Sequence, residues 1–166
     1  MKKIIITGLL ILLFLILDNA FMYFIGIKKY YPSLLFVFAI AYSLLNGKEK
    51  SMFIGIVSGM LQDVFFFNGF GINSLLNLLL CLLASSIGAG IVKNKRLIPV
   101  ISIFFITLIK YIGIFIIFYL LNVEIHLSKS IIMSIYNSIV MFFVYKIVMN
   151  IYDDEYSKQR WRFKWY

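Results

Sequence analysis

Six long apolar blocks, separated by short charged or Gly/Asn turns, constrain this chain more than anything else in it. A segment of roughly 17 to 25 apolar residues is what a helix needs to cross the hydrocarbon of a bilayer. The blocks occupy residues 4–27, 30–45, 52–67, 72–92, 97–121 and 131–149 of 166, and 63% of all residues are hydrophobic. A soluble domain has no room beside them. The expected fold is therefore all-α, a polytopic bundle of six transmembrane helices over residues 1–150, followed by a basic and aromatic tail at 151–166. The first block follows Lys2 and Lys3 but is longer than a signal-peptide core and has no small-residue cleavage site after it, so it reads as a retained span. Pro32 is expected in the first turn of the second helix, where its missing N–H costs nothing. That second block is short, and is expected to stand steeply or to thin the bilayer locally.

Orientation follows from the cations. With the N-terminus cytoplasmic, Lys2, Lys3, Lys48, Lys50, Lys93, Lys95, Arg96, Lys146, Lys158, Arg160, Arg162 and Lys164 share one side, against Lys28, Lys29 and Lys129 on the other. This bias places both termini in the cytoplasm. The net charge of +9 is thus mostly a topology signal. It does not point to nucleic acid, and the tail suits anionic lipid headgroups.

Polar residues inside apolar blocks carry the next step. The run Gly55-Ile-Val-Ser-Gly59-Met-Leu-Gln62-Asp63 puts two small residues, an amide and a carboxylate on one face of a helix. Glycines four apart admit a close neighbour, and a carboxylate in hydrocarbon needs a partner. On the fourth block, Asn73, Asn77, Cys81, Ser85 and Gly88 form a weakly polar stripe, with Ala84 and Gly88 thinning its inner end. Counted at about 1.5 Å per residue from the cytoplasmic side, Asp18, Asp63 and Lys110 share one layer with Asn137. Lys110 is expected to pair with Asp63 or Asp18, and the remaining carboxylate to be neutral or to face a partner or a small polar cavity. The layer of Asp18, Asp63, Asn73, Asn77, Lys110 and Asn137 either locks the register of the bundle or contacts a ligand or partner.

Enzyme chemistry finds no support. There is no phosphate-binding loop, no nucleophile elbow and no zinc-binding His pair, Cys81 stands alone, and His126 sits in a loop. Neither a metal nor a cofactor is expected.

The segment Gln62-Asp63-Val-Phe-Phe-Phe-Asn-Gly69-Phe-Gly71, in a six-span chain of this length with Pro32 opening the second span, resembles the rod shape-determining membrane protein MreD of bacteria. Gln62, Asp63, Gly69 and Gly71 match the family pattern. The resemblance implies a non-catalytic subunit of the cell-elongation machinery in the bacterial cytoplasmic membrane, acting in peptidoglycan synthesis. It would bind MreC and, through it, link MreB to the polymerase RodA and its transpeptidase. The family is also similar in fold to the S subunits of energy-coupling-factor transporters, which implies an alternative: a small-molecule-binding subunit of an importer. Against it, the first span lacks an Ala-x-x-x-Ala surface and the outer loops are too short to close over a ligand.

Overall fold

The computed structural model describes residues 2–20, 32–66, 71–90, 97–122 and 129–162, and all regular structure among them is helical. We label the helices α1 (Lys2–Ala20), α2 (Leu34–Leu45), α3 (Lys48–Phe66), α4 (Ile72–Ala89), α5 (Leu97–Leu120) and α6 (Lys129–Arg162). Four of them, α1, α4, α5 and α6, are long and apolar enough by length and composition to cross a membrane. The turn at Lys28 to Tyr31, Gly69, the basic turn at Lys93 to Arg96, the loop around His126 and, within the terminal basic and aromatic tail, the side chains of residues 153–166 lie outside the described residues.

The core of the bundle is α2. All twelve of its residues are buried, and Leu35, Val37, Phe38, Ala39, Ile40 and Ala41 are wholly enclosed. A helix that is hydrophobic all round belongs inside other protein. At about 1.5 Å per residue α2 is about 18 Å long, and because protein surrounds it, that length need not match the bilayer. This burial removes the reason for expecting the short second block to thin the bilayer locally. Pro32 also sits outside the helix: Ser33 is the N-cap, with φ −101° and ψ 99°, and Pro32 precedes it.

Helices pack around α2 in ways the small residues dictate. The most extensive pairing is α3 with α4. A Cβ built on Gly59 would lie 2.3 Å from the Ser74 Cα, and one on Gly55 2.8 Å from the Asn77 carbonyl oxygen, so the two backbones touch at these positions. Toward the other end of α4, Gly88 does the same against α2, where a Cβ would meet the Leu44 carbonyl oxygen at 2.1 Å. Without a hydrophobic drive between helices in lipid, such close backbone contact supplies the dispersion energy that holds them. The buried face of α4, from Asn73 and Asn77 through Cys81, Ala84 and Ser85 to Gly88, is the stripe seen in the sequence.

Polar capping and aromatic contacts close the opposite end of α2. Asn46, its C-cap, donates from both backbone and side-chain nitrogen to the Tyr42 carbonyl, and Ser85 of α4 donates to the Asn46 carbonyl at 2.9 Å. Tyr152 of α6 packs edge-on against Tyr42 at 5.1 Å and hydrogen-bonds the Thr7 hydroxyl of α1. Thus α6 is continuous through Tyr152 and on to Arg162, with no break near residue 150. The outward faces of α1, α5 and α6 are almost entirely Ile, Leu and Phe, as a lipid-facing surface requires.

Candidate functional site

Two helices, α2 and α4, begin beside buried carboxylates, and each start is closed by the helix before it. The first N–H groups of a helix have no partner within the helix. At α2 the Asp18 carboxylate, from α1, accepts from the backbone N–H of Leu34 at 2.7 Å and of Leu35 at 3.0 Å, and from the Ser33 hydroxyl at 3.3 Å. The Ser33 hydroxyl in turn accepts from the Phe36 N–H at 3.4 Å, and the Ser33 N–H donates to Asn137 Oδ1 of α6 at 3.1 Å. A negative charge at a helix N-terminus also meets the positive end of the helix dipole. Asp18 is only 7% exposed, so these bonds are what make its burial tolerable.

At α4 the arrangement is more concentrated. Asp63, 3% exposed near the end of α3, accepts from the N–H groups of Gly71 at 2.9 Å, Asn73 at 3.0 Å and Ser74 at 3.0 Å, and from the Asn73 amide at 3.1 Å. Gly71 is the N-cap, with φ +96°, a left-handed conformation that favours glycine, and it has no side chain with which to cap. The Asp63-to-Gly71 spacing of the sequence motif therefore has a physical meaning: the carboxylate replaces the missing cap across the turn. Such a bond set is charge-assisted, hence roughly twice as strong as its neutral counterpart.

Between the two junctions stands Gln62. Its Nε2 donates to the Ser33 hydroxyl at 2.8 Å, and its Oε1 accepts from Asn77 Nδ2 and from Lys110 Nζ, each at 2.9 Å. Lysine has donors only, so Gln62 must turn its carbonyl toward Lys110, and Asn77 must then present its amino group. This leaves Asn77 Oδ1 buried without a hydrogen-bond partner among the described residues. The Lys110 ammonium also lies 4.1 Å from the centre of the Phe36 ring, a cation–π contact in a desolvated setting. Asn137 completes the group by donating to Thr107 of α5 at 3.3 Å.

The structure thus joins Asp18, Asn77, Lys110 and Asn137 through Gln62 and Ser33, and leaves Asp63 with Asn73 as a neighbouring, separate cluster. Lys110 does not form the expected ion pair with Asp63 or Asp18. The reason is competition: the carboxylate oxygens of both aspartates are engaged by backbone N–H groups that have no other acceptor. Lys110 is held instead by an amide oxygen and an aromatic face. Three participants were missed in the sequence. Ser33 could have been found, since a Ser just before an apolar run is an N-cap signal; Thr107 and Phe36 carry no such mark.

No group of three or more His, Cys, Asp or Glu side chains among the described residues could hold a metal ion. Chemically, the arrangement can close helix ends and fix the register of all six described helices.

Compared with known proteins, the chain matches the family model of the rod shape-determining protein MreD over residues 1–152. It belongs to the MreD family. No curated protein and no solved structure is a match to it. Membership makes this a shape-determining membrane protein of the system to which MreC and MreB also belong, working in the context of peptidoglycan synthesis. It also places the Asp63–Gly71 junction and the Gln62 network within the matched residues.

Proposed function

We propose that this protein is a non-catalytic scaffold of the bacterial cell-elongation machinery, spanning the cytoplasmic membrane six times with both termini inside. In this reading it binds MreC and, through it, connects MreB to RodA and its transpeptidase. The observation that carries the reading is the family match over residues 1–152. The character of the polar layer supports it. Its side chains are committed to helix starts and to one another, which suits a rigid scaffold better than a ligand pocket. On this view Asp18, Asp63, Asn73, Asn77, Lys110 and Asn137 set the register of the bundle, Gly55, Gly59, Ala84 and Gly88 let its helices close, and the apolar outer faces receive lipid and a partner's transmembrane helix. The importer reading would need polar groups free for a small molecule. Among the described buried side chains the Asn77 carbonyl is the one atom left over, a thin basis for ligand recognition.

Purification of the tagged protein from its native membranes in a mild detergent, with mass spectrometry of the chains that accompany it, tests the proposal. Recovery of a single-span MreC-like protein with a peptidoglycan polymerase is the expected result. Recovery of paired ATPases with a coupling subunit would overturn the scaffold in favour of the importer.

A further inference from the structure

A single chain of hydrogen bonds joins the buried ammonium of α5 to the buried carboxylate of α1, and all of its donors point the same way. Lys110 Nζ donates to Gln62 Oε1 at 2.9 Å, Gln62 Nε2 to the Ser33 hydroxyl at 2.8 Å, and that hydroxyl to Asp18 Oδ2 at 3.3 Å. Such a chain has one reversed counterpart on the same heavy-atom positions. A hydroxyl reverses by rotating its proton, and an amide by a half-turn that exchanges its similarly sized oxygen and nitrogen. The reversed chain needs a donor at Asp18 Oδ2 and an acceptor at Lys110 Nζ, which a protonated carboxyl and an uncharged amine supply. Asp63 has no such counterpart. Apart from the Asn73 amide, its donors are the backbone N–H groups of Gly71, Asn73 and Ser74, which cannot turn round.

We propose that Lys110, Gln62, Ser33 and Asp18 form a proton-transfer switch with two states on one set of atomic positions. In the ionised state, with the bond directions seen here, Lys110 is an ammonium and Asp18 a carboxylate. In the neutral state one N–H bond at Lys110 has broken and one O–H bond at Asp18 Oδ2 has formed, while the amides of Gln62 and Asn77 have exchanged ends without gaining or losing a proton. Asp18 then donates to Ser33 and Ser33 to Gln62 Oε1, and the two hydrogens of Gln62 Nε2 reach Lys110 Nζ and Asn77 Oδ1. The last of these bonds serves the oxygen that the ionised state leaves without a partner among the described residues; the Asn77 amino group gives up its bonds in exchange. Opposing forces keep the two states close in energy. Burial in hydrocarbon favours removing both charges, whereas the Phe36 ring 4.1 Å from Lys110 Nζ and the Leu34 and Leu35 N–H groups on Asp18 favour keeping them. The remaining buried titratable side chains stand outside the chain: Asp63 on α3, Cys81 on α4, Tyr42 on α2, and Tyr145 and Tyr152 on α6. The neutral state replaces the charge-assisted cap of α2 with a weaker one, so the position of one proton sets how firmly α1 holds the start of the central helix. This switch does not depend on which partners the scaffold binds.

The test is solid-state NMR of the full chain in phospholipid bilayers, with isotope-labelled lysine side chains, paired with infrared spectra of protonated carboxyl groups. Loss of signal in Lys110→Met and in Asp18→Leu assigns the two groups. Over a temperature series the wild type should show a Lys110 amine resonance beside the ammonium one, growing in step with a protonated Asp18 band. The ratio should be insensitive to bulk pH, because the proton stays inside the protein. Asp18→Asn should impose the reversed direction: the introduced amide donates to Ser33 as a protonated Asp18 would, and the Lys110 resonance shifts wholly to the amine position at neutral pH. Gln62→Met cuts the chain and should uncouple the two signals. A wild-type Lys110 in one protonation form at every temperature overturns the proposal, as does an amine fraction that grows without the Asp18 band or follows bulk pH. So does a Lys110 that stays an ammonium in Asp18→Asn, or coupling that survives Gln62→Met. Where a variant does not fold, the wild-type series decides alone.

Discussion

The starts of α2 and α4 meet the same demand in different ways, and the difference lies in the backbone of the N-cap residue. Ser33 has the extended conformation, φ −101° and ψ 99°, from which a side chain can reach its own helix, and it does so. A side-chain cap requires that geometry. Gly71 arrives with φ +96°, where no side chain on the cap residue is well aimed. The α2 start can therefore share its load among Ser33, Asp18 and Asn137, whereas the α4 start depends on Asp63. One junction is distributed over three helices, and the other is a single carboxylate across one turn.

Removing each carboxylate in turn puts the most weight on this comparison. Asp63→Leu strands three backbone N–H groups and the Asn73 amide, and is expected to cost about 3 to 5 kcal/mol, the range for uncompensated buried polar groups. Asp18→Leu strands two backbone N–H groups and a hydroxyl that keeps other partners, for about 2 to 3 kcal/mol. Thermal midpoints from size-exclusion chromatography of a fluorescently tagged protein in detergent would rank them. A larger loss for Asp18 would break the comparison.

Next in size is the pairing of Gln62 with Lys110. Gln62→Leu leaves the Lys110 cation without its one hydrogen-bond acceptor and cuts the link to Ser33, for an expected loss of about 3 kcal/mol. Lys110→Met removes the charge itself, keeps the length of the side chain beside Phe36, and should cost less than about 1 kcal/mol or even stabilise. The reciprocal exchange Lys110→Asp with Asp63→Lys should recover nothing relative to either single change, because the two groups serve different partners. Recovery in the double variant would restore the ion pair that the sequence suggested and this structure replaces.

Close approach of α3 and α4 is the precondition for the Asp63 junction. Gly59 lies one turn before Asp63 and faces Ser74, whose N–H is one of the donors. Gly59→Ala should therefore cost about 2 to 3 kcal/mol, near the top of the range for overpacking. Part of that loss should vanish in an Asp63→Asn background, since the methyl acts by moving Ser74 away from the carboxylate. Full additivity in the double-variant cycle would mean that packing and capping are independent.

How much of this was legible in the sequence varies with the residue. Apolar blocks gave helices, Gly55 and Gly59 marked a close neighbour, and Asp63 with Gly71 stood out in the family-like segment, but the closure of the α4 start by Asp63 was not legible. The central place of α2 was not readable. In a soluble protein, outward polar residues distinguish a buried helix from a surface one; in lipid both faces are apolar, and Phe36 to Ala41 would suit either surrounding. Its shortness was the one clue. The Lys110 partner was hidden for another reason: charge arithmetic paired it with an aspartate, but orphan N–H groups at helix starts compete for the same oxygens and are fixed in place by the backbone. An unaccounted helix N-terminus should be counted as a cation when buried carboxylates are assigned partners.

The smallest expected effect probes the N-cap conformation itself. A Cβ at Gly71 would meet nothing within 4 Å, so substitutions there test backbone strain without steric overlap. Gly71→Ala should cost about 1 kcal/mol for holding an L-residue at positive φ, and Gly71→Asn less, since asparagine tolerates that region. Neither should rescue Asp63→Ala, because from a left-handed cap residue the Asn side chain does not point at the free N–H groups of Asn73 and Ser74. If Gly71→Asn did restore the thermal midpoint of Asp63→Ala, the turn would have relaxed to an extended N-cap like that of Ser33. The contrast between the two junctions would then be a matter of residue choice and not of chain geometry.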